Sequence, residues 1–268
     1  MAPDWLAPTS LEEALALRAE YGEESTVVAG GTFLGILLNQ RLIAPSIFLA
    51  LRDVRGLDRI QANGELSLGA LVTHRAVERS ALVRERWPSV SHVFSVVASP
   101  RVRNQATVGG VLADADYASD PPAMLTALRA QAVLQSTRGT RELPIEDLIR
   151  GHYETALEHD ELITEVRVPG TTERAVYRKF RSRSHEDRPC VAVAAAVAGG
   201  ELRVVVGAVA GRPQLFPEIC MLQDAAEIGR RYADAIDPIS DVRGSSAYRR
   251  RVIAVEVRRA VEAVGWGA

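Results

Sequence analysis

Cysteine is almost missing from this chain: Cys190 and Cys220 are the only two in 268 residues. Two thiols cannot build a disulfide framework, and these lack the close spacing of a zinc or iron–sulfur site, so buried thiols in a reducing compartment are expected. An excess of one charge is missing as well. The 32 basic and 34 acidic residues leave a formal net charge of −2, which excludes an electrostatic case for nucleic acid or an anionic membrane as partner. No apolar run approaches the roughly 20 residues that span a bilayer. Met1 to Ser10 lacks a basic stretch followed by an apolar one, so no secretory leader is read there and the expected location is cytoplasmic. The five histidines, His74, His92, His152, His159 and His185, show no pairwise metal-ligand spacing, and surface or satisfied core positions are expected for them. Repeats and low-complexity segments are absent too. What remains, 47% hydrophobic and 25% charged residues, is the composition of an ordinary globular chain of one large domain or two modest ones.

Its organisation starts with Ser10-Leu11-Glu12-Glu13, a capping box that opens a short helix with Leu11, Ala14, Leu15 and Leu17 on its apolar face. A strand Thr26–Ala29, an apolar-periodic helix Leu34–Leu42 stopped by Pro45, and a strand Ile47–Leu51 follow in βαβ order. Arg59 to Gly69 reads as a hairpin on an Asn63-Gly64 turn, and Thr73 as a helix cap. A helix near Ser89–Ala98, a turn at Arg101–Gln105, and the segments Met124–Leu128, Val133–Gln135 and Leu162–Val168 complete a second α+β lobe. Pro169-Gly170-Thr171-Thr172 is the expected boundary. Beyond it come Val176–Phe180, two apolar strands Cys190–Val197 and Leu202–Val209 joined at Gly199-Gly200, and a helix from about Ser246 to Val264. That helix carries an apolar stripe of Ile253, Val257, Val261 and Val264. Arg249, Arg250, Arg258 and Arg259 are expected on a solvated or subunit-facing surface.

The chemistry lies in two glycine doublets. Gly30-Gly31 closes the apolar run Thr26 to Ala29 just before a helix, a position that favours anions. Gly109-Gly110 lies in a similar setting, after Ala106-Thr107-Val108. Two turns without side chains expose backbone N–H groups to a pyrophosphate and admit a dinucleotide at close range. Gly199-Gly200, inside a hairpin, is read as a turn only.

With both doublets placed, the chain resembles the FAD-binding medium subunit of the molybdenum hydroxylases, the carbon monoxide dehydrogenase and xanthine dehydrogenase family. The resemblance is carried by Ala29-Gly30-Gly31-Thr32, Asp53-Val54-Arg55-Gly56-Leu57, Ser99 to Asn104 leading into Ala106 to Gly110, and Ala118 to Pro122. Asp160 to Pro169 and Asp241 to Arg249 extend it over nearly the whole chain, in order. It implies an α+β fold: a two-lobed FAD-binding domain like that of the vanillyl-alcohol-oxidase flavoproteins over residues 1–170, with lobes of about 1–56 and 57–170. A small antiparallel sheet with helices would follow over 171–268. By resemblance, Ala29, Gly30, Gly31, Thr32, Phe33 and Leu34, with Thr107, Gly109 and Gly110, supply amides and threonine hydroxyls to the FAD diphosphate. Asp120 accepts from flavin-side hydroxyls or caps a helix. Ile163 lies near the isoalloxazine or adenine edge, or in the core, and Lys179 at the domain junction near the flavin, or as an exposed strand charge. No catalytic acid, nucleophile or metal ligand is implied.

Three departures stand out. Val111 occupies a position where the family carries Asn, Phe33 one where a small polar or acidic residue is usual, and a flavin-stacking aromatic is missing near Glu186 to Pro189, with Arg188 or His185 the nearest planar groups. The family role is an oxidoreductase's electron-transfer subunit, inactive alone on the organic substrate. It takes electrons from two [2Fe–2S] clusters of a small subunit, fed by a molybdopterin-binding large subunit, in a dimer of heterotrimers, and delivers them to an external acceptor. The alternative is a flavin-less assembly subunit of the same kind of complex. A self-contained flavin oxidase would want a general base or an attachment residue, and Asn39 and Gln40 are the nearest polar groups to the first loop.

Overall fold

The computed structural model describes residues 3–170, 174–184 and 186–267. Its first sheet is parallel and three-stranded, with Ile47–Ala50 between Asp4–Leu6 and Ser25–Val28. The edge strand Asp4–Leu6 has no counterpart in the sequence reading, because three residues carry no periodicity. The helix Leu11–Tyr21 begins where expected: Ser10 Oγ accepts from the Glu13 amide at 3.2 Å, and the Glu13 carboxylate accepts from the Thr9 amide at 2.8 Å. Ala14, Leu49, Leu51, Val54 and Leu57 form a small core, to which Leu162 of the second lobe adds. The next helix runs only from Leu34 to Asn39, because Arg41 at φ +57° ends it before Leu42. None of its six residues is buried.

The second sheet has five strands in the order Ile60–Asn63, Glu65–Gly69, Leu162–Val168, Gln131–Ser136, Gly139–Pro144, all antiparallel. The hairpin turn sits on Gly64 at φ +78°, as Asn-Gly chemistry demands. Thr73 caps the helix His74–Arg79. The helix expected at Ser89–Ala98 spans Pro88–Ser95, and the expected turn is a short helix, Pro100–Arg103. Gly109 and Gly110 lie inside the helix Val108–Ala113 rather than in a turn. Pro121–Ala127 is a helix buried along its whole length.

The third sheet joins Arg174–Phe180, Val191–Ala198, Glu201–Gly207 and Gln214–Leu215 antiparallel. Val191 to Val197 is buried throughout, since this strand serves two cores. Ala192, Ala194 and Ala196 face the core of the second lobe with Met124 and Leu125. Val191, Val193, Ala195 and Val197 face Ile228, Tyr232, Ile253 and Val257 of the helices Ala225–Ala235 and Ser246–Ala263. Small residues on one face let a helix approach closely, while β-branched ones fill the other. The helix Ala225–Ala235 escaped the sequence reading, although Asp224 caps it by accepting from the Glu227 amide.

One arginine expectation is overturned. Arg249 is fully buried: its Nη1 donates to the carbonyls of Cys190 (2.9 Å) and Ala208, and its Nη2 pairs with Asp241. The first turn of the C-terminal helix abuts the sheet, and three acceptors replace the water that a guanidinium otherwise needs. Cys190 and Cys220 are buried free thiols.

Candidate flavin site

The first loop is a run of unpaired donors. After Ser25–Val28 the chain turns at Gly31, φ +67°, and enters the helix at Leu34. Among the described residues, the amides of Gly30, Gly31, Thr32, Phe33 and Leu34 have no acceptor, and the first paired one is Gly35, bonded to the Gly31 carbonyl. Consecutive unpaired N–H groups of this kind form a concave nest for an anion, each bond to a charged oxygen being worth about 1.5–3 kcal/mol.

The second loop is different. The Val108 amide donates to the Val72 carbonyl (3.0 Å), Gly109 to Ala70 (2.8 Å), and Gly110 to the Thr107 hydroxyl (3.1 Å). The expectation that Gly109 and Gly110 donate to a diphosphate therefore meets amides already spent inside the fold, where Thr107 is a helix cap. Their glycine character answers to packing. A Cβ on Gly109 would stand 2.7 Å from the Ala70 Cβ, and one on Gly110 2.8 Å from Thr107 Oγ1. The two loops touch: a Cβ on Gly30 would lie 2.0 Å from the Gln105 carbonyl oxygen.

His74, unassigned from the sequence beyond a surface or core position, holds the second loop. Its amide donates to the Ala106 carbonyl at 2.9 Å and its Nε2 lies 3.2 Å from the Thr107 carbonyl oxygen, which fixes Nε2 as the protonated nitrogen. Burial holds its pKa down to about 4, so the ring is neutral at pH 7.

Both loops open on one cavity of about 660 Å³, within the usual range for cofactor sites. All twelve residues singled out from the sequence line it: Ala29 to Leu34, Thr107, Gly109, Gly110, Asp120, Ile163 and Lys179. Asp120 is buried at the N-cap position of the helix Pro121–Ala127, but its side chain makes no capping bond. Its carboxylate accepts from Tyr177 Oη (2.7 Å) and from Lys179 Nζ (2.8 Å), and Nζ also donates to the Val96 carbonyl (2.9 Å). Burial pushes Asp120 up and Lys179 down, each toward its neutral form, against their mutual attraction. Lys179 is the chain's single lysine, a signal the sequence reading passed over.

The cavity also takes in charged groups of which only Arg188 was singled out from the sequence. Asp114, at the end of the helix Val108–Ala113, is pushed up to about 7 by burial and by the nearby Asp116. Asp116 pairs with Arg188 at 2.8 Å, so Arg188 is held by a carboxylate. Arg243 reaches the same wall through Tyr117 and Asp241. The Asp114-Ala115-Asp116 spacing, just past the glycine helix, was the available signal. Phe33 stacks on Tyr153 with ring centroids 5.5 Å apart. The other planar candidate, His185, lies outside the described residues. Among the described residues no cluster of three or more metal-ligating side chains occurs, and no helix is long and apolar enough to cross a membrane.

An anion nest opening on a cavity of this size fits a dinucleotide, and the comparisons define which. Residues 1–171 match the FAD binding domain in molybdopterin dehydrogenase, and the chain belongs to this family, the FAD-binding medium subunits of molybdenum-hydroxylase-type complexes. It is 32% identical over 274 residues to the nicotine 6-hydroxylase medium subunit of Paenarthrobacter nicotinovorans, covering 97% of this chain and 96% of that one. It is 29% identical to the carbon monoxide dehydrogenase medium chain of Afipia carboxidovorans, covering 97% and 95%. The quinoline 2-oxidoreductase structure from Pseudomonas putida 86 superposes with a TM-score of 0.91 at 30% identity, over 99% of this chain and 98% of that one.

Proposed function

We propose that this chain is the electron-transfer subunit of a molybdenum hydroxylase complex, carrying FAD between an iron–sulfur subunit and an external acceptor, and inactive alone on the organic substrate. The partners would be a small [2Fe–2S] subunit and a large molybdopterin-binding subunit, assembled as a dimer of heterotrimers in the cytoplasm. The observation that carries the reading is the run of five unpaired amides, Gly30 to Leu34, on the wall of the large cavity.

In this reading the amides hold the diphosphate, and Thr32 and Thr107 offer hydroxyls beside them. When bound, FAD supplies a two-electron carrier able to exchange electrons singly with iron–sulfur clusters and in pairs with an acceptor. The chain's own part is to bind, orient and shield. Asp120, held by Lys179 and Tyr177, presents a fixed acceptor for hydroxyls. Ile163 and Val111 supply apolar wall. Lys179 draws the strand Arg174–Phe180 onto Val96, closing the cavity between the 1–170 lobes and the 171–268 segment. Relatives named for nicotine, carbon monoxide and quinoline share this one architecture, which supports a substrate read elsewhere in the complex.

Cofactor released from the natively assembled complex tests the proposal. Stoichiometric FAD, with iron and molybdopterin on co-purifying chains, is the expected result. A complex assembled with no flavin would replace it with the assembly-subunit reading.

A further inference from the structure

Arg18 is a cation on the cavity wall that the fold explains only in part. It sits on the helix Leu11–Tyr21, one turn after Ala14, whose core also contains Leu162. Its Nη1 donates to the carbonyls of Gly22 and Ser25 and to Ser25 Oγ, the last two at 2.8 and 3.0 Å. Nε is buried without a partner, while Nη2 is not among the buried atoms and stays open to solvent or to the cavity. Among the described residues no carboxylate pairs with the guanidinium. Asp160 and Glu23 act on it only through space, and Asp160 is already engaged by Arg138. A half-buried guanidinium whose Nε is sealed from water without an acceptor is completed when a ligand supplies one.

Its position says which part of a ligand that is. Arg18 is tied to Ser25, at the opposite end of the strand from the unpaired amides. Ser25 and Val28 are about 10 Å apart at roughly 3.3 Å per residue, and the amides begin two residues further on. Arg18 is therefore placed away from the diphosphate. The same cavity is walled by Val27 and Leu162, which pack with Ala14 one turn from Arg18, and by Leu157, an apolar surface suited to a flat ring. A planar, multi-donor cation next to an apolar slab matches an aromatic base bearing ring-nitrogen acceptors.

We propose that Arg18 binds the adenosine end of the dinucleotide and is the residue by which this chain distinguishes FAD from FMN. The proposal rests on the flavin reading above. Its test uses the full chain freed of flavin and titrated separately with FAD and FMN, following quenching of flavin fluorescence. R18Q weakens FAD about tenfold, the loss of roughly one charge-assisted hydrogen bond, and leaves FMN unchanged. R18K keeps the charge but not the fork and shows the same selective loss. It decides the matter alone should R18Q not fold. Free AMP competes with FAD on the wild type and about tenfold less well on R18K. Equal weakening of FAD and FMN would mean that Arg18 only braces the Gly22–Ser25 turn, and unchanged FAD binding that it does nothing for the ligand. Either overturns the proposal while FAD still loads on the wild type. A wild type that takes up no FAD overturns the flavin reading and this one together.

Discussion

The two glycine doublets look alike in sequence and do opposite work in the fold. Gly30-Gly31 leaves five consecutive amides open, and Gly31 is at φ +67°. Gly109-Gly110 has its amides bonded and adopts helical backbone, so its missing side chains make room rather than donors. Glycine serves wherever a Cβ is unwelcome, and the reason for the exclusion differs between a concave donor nest and a helix pressed on a sheet. The third doublet, Gly199-Gly200, meets a third need: both residues have positive φ in a hairpin and face open space.

The contrast is broken most severely at Gly31. An added Cβ there meets only the Val28 side chain at 3.9 Å, so Gly31→Asp makes no clash; it strains the left-handed backbone as Gly199→Ala does and in addition sets a carboxylate against the amides. FAD affinity should fall at least about a hundredfold, as expected for losing two or more charge-assisted bonds, and titration of the full chain measures it. Unaltered affinity would place the diphosphate elsewhere.

His74→Gln probes the other loop through pH. The folded His74 pKa of about 4 lies below the ordinary 6.5, so between these values the unfolded chain binds the extra proton. Stability from this group is complete above pH 6.5 and is lost as pH falls through 4, by about 3 kcal/mol in all. Denaturant melts across this window should show a shallower acid decline in the variant. An identical decline would remove His74 as its source.

Gly109→Ala should cost about 1–3 kcal/mol by overpacking against Ala70, and Ala70→Gly in the same chain should recover much of it, a coupling read from a double-mutant cycle. Additive losses would contradict the contact. Smallest is Gly199→Ala: strain of about 1–2 kcal/mol at φ +59°, with FAD content unchanged because the hairpin is remote from the cavity lining.

Local rules made much of the molecule legible. Ser10, Thr73 and Asn63-Gly64 announced two caps and a turn, since each acts within a few residues. The twelve residues singled out from the sequence all line the cavity, and glycine loops with their flanking family motifs pointed to them. Arg18 and His74 were not singled out, because nothing beside them in sequence says that they face a cavity, and Asp114 had only its spacing from Asp116 as a signal. Arg249 was misread for the related reason that a helix's own pattern does not show what lies against its first turn.

Composition and pattern by themselves determined a globular α+β chain, its βαβ opening, its apolar hairpin and its amphipathic final helix, because periodicity and capping depend on near neighbours. Only tertiary structure decided which amides stay free, which arginine is buried, and that strand Val191–Ala198 belongs to two cores at once. Those outcomes turn on partners distant in sequence, such as Gln105 against Gly30 and Ala70 against Gly109, whose proximity is a property of the packed whole.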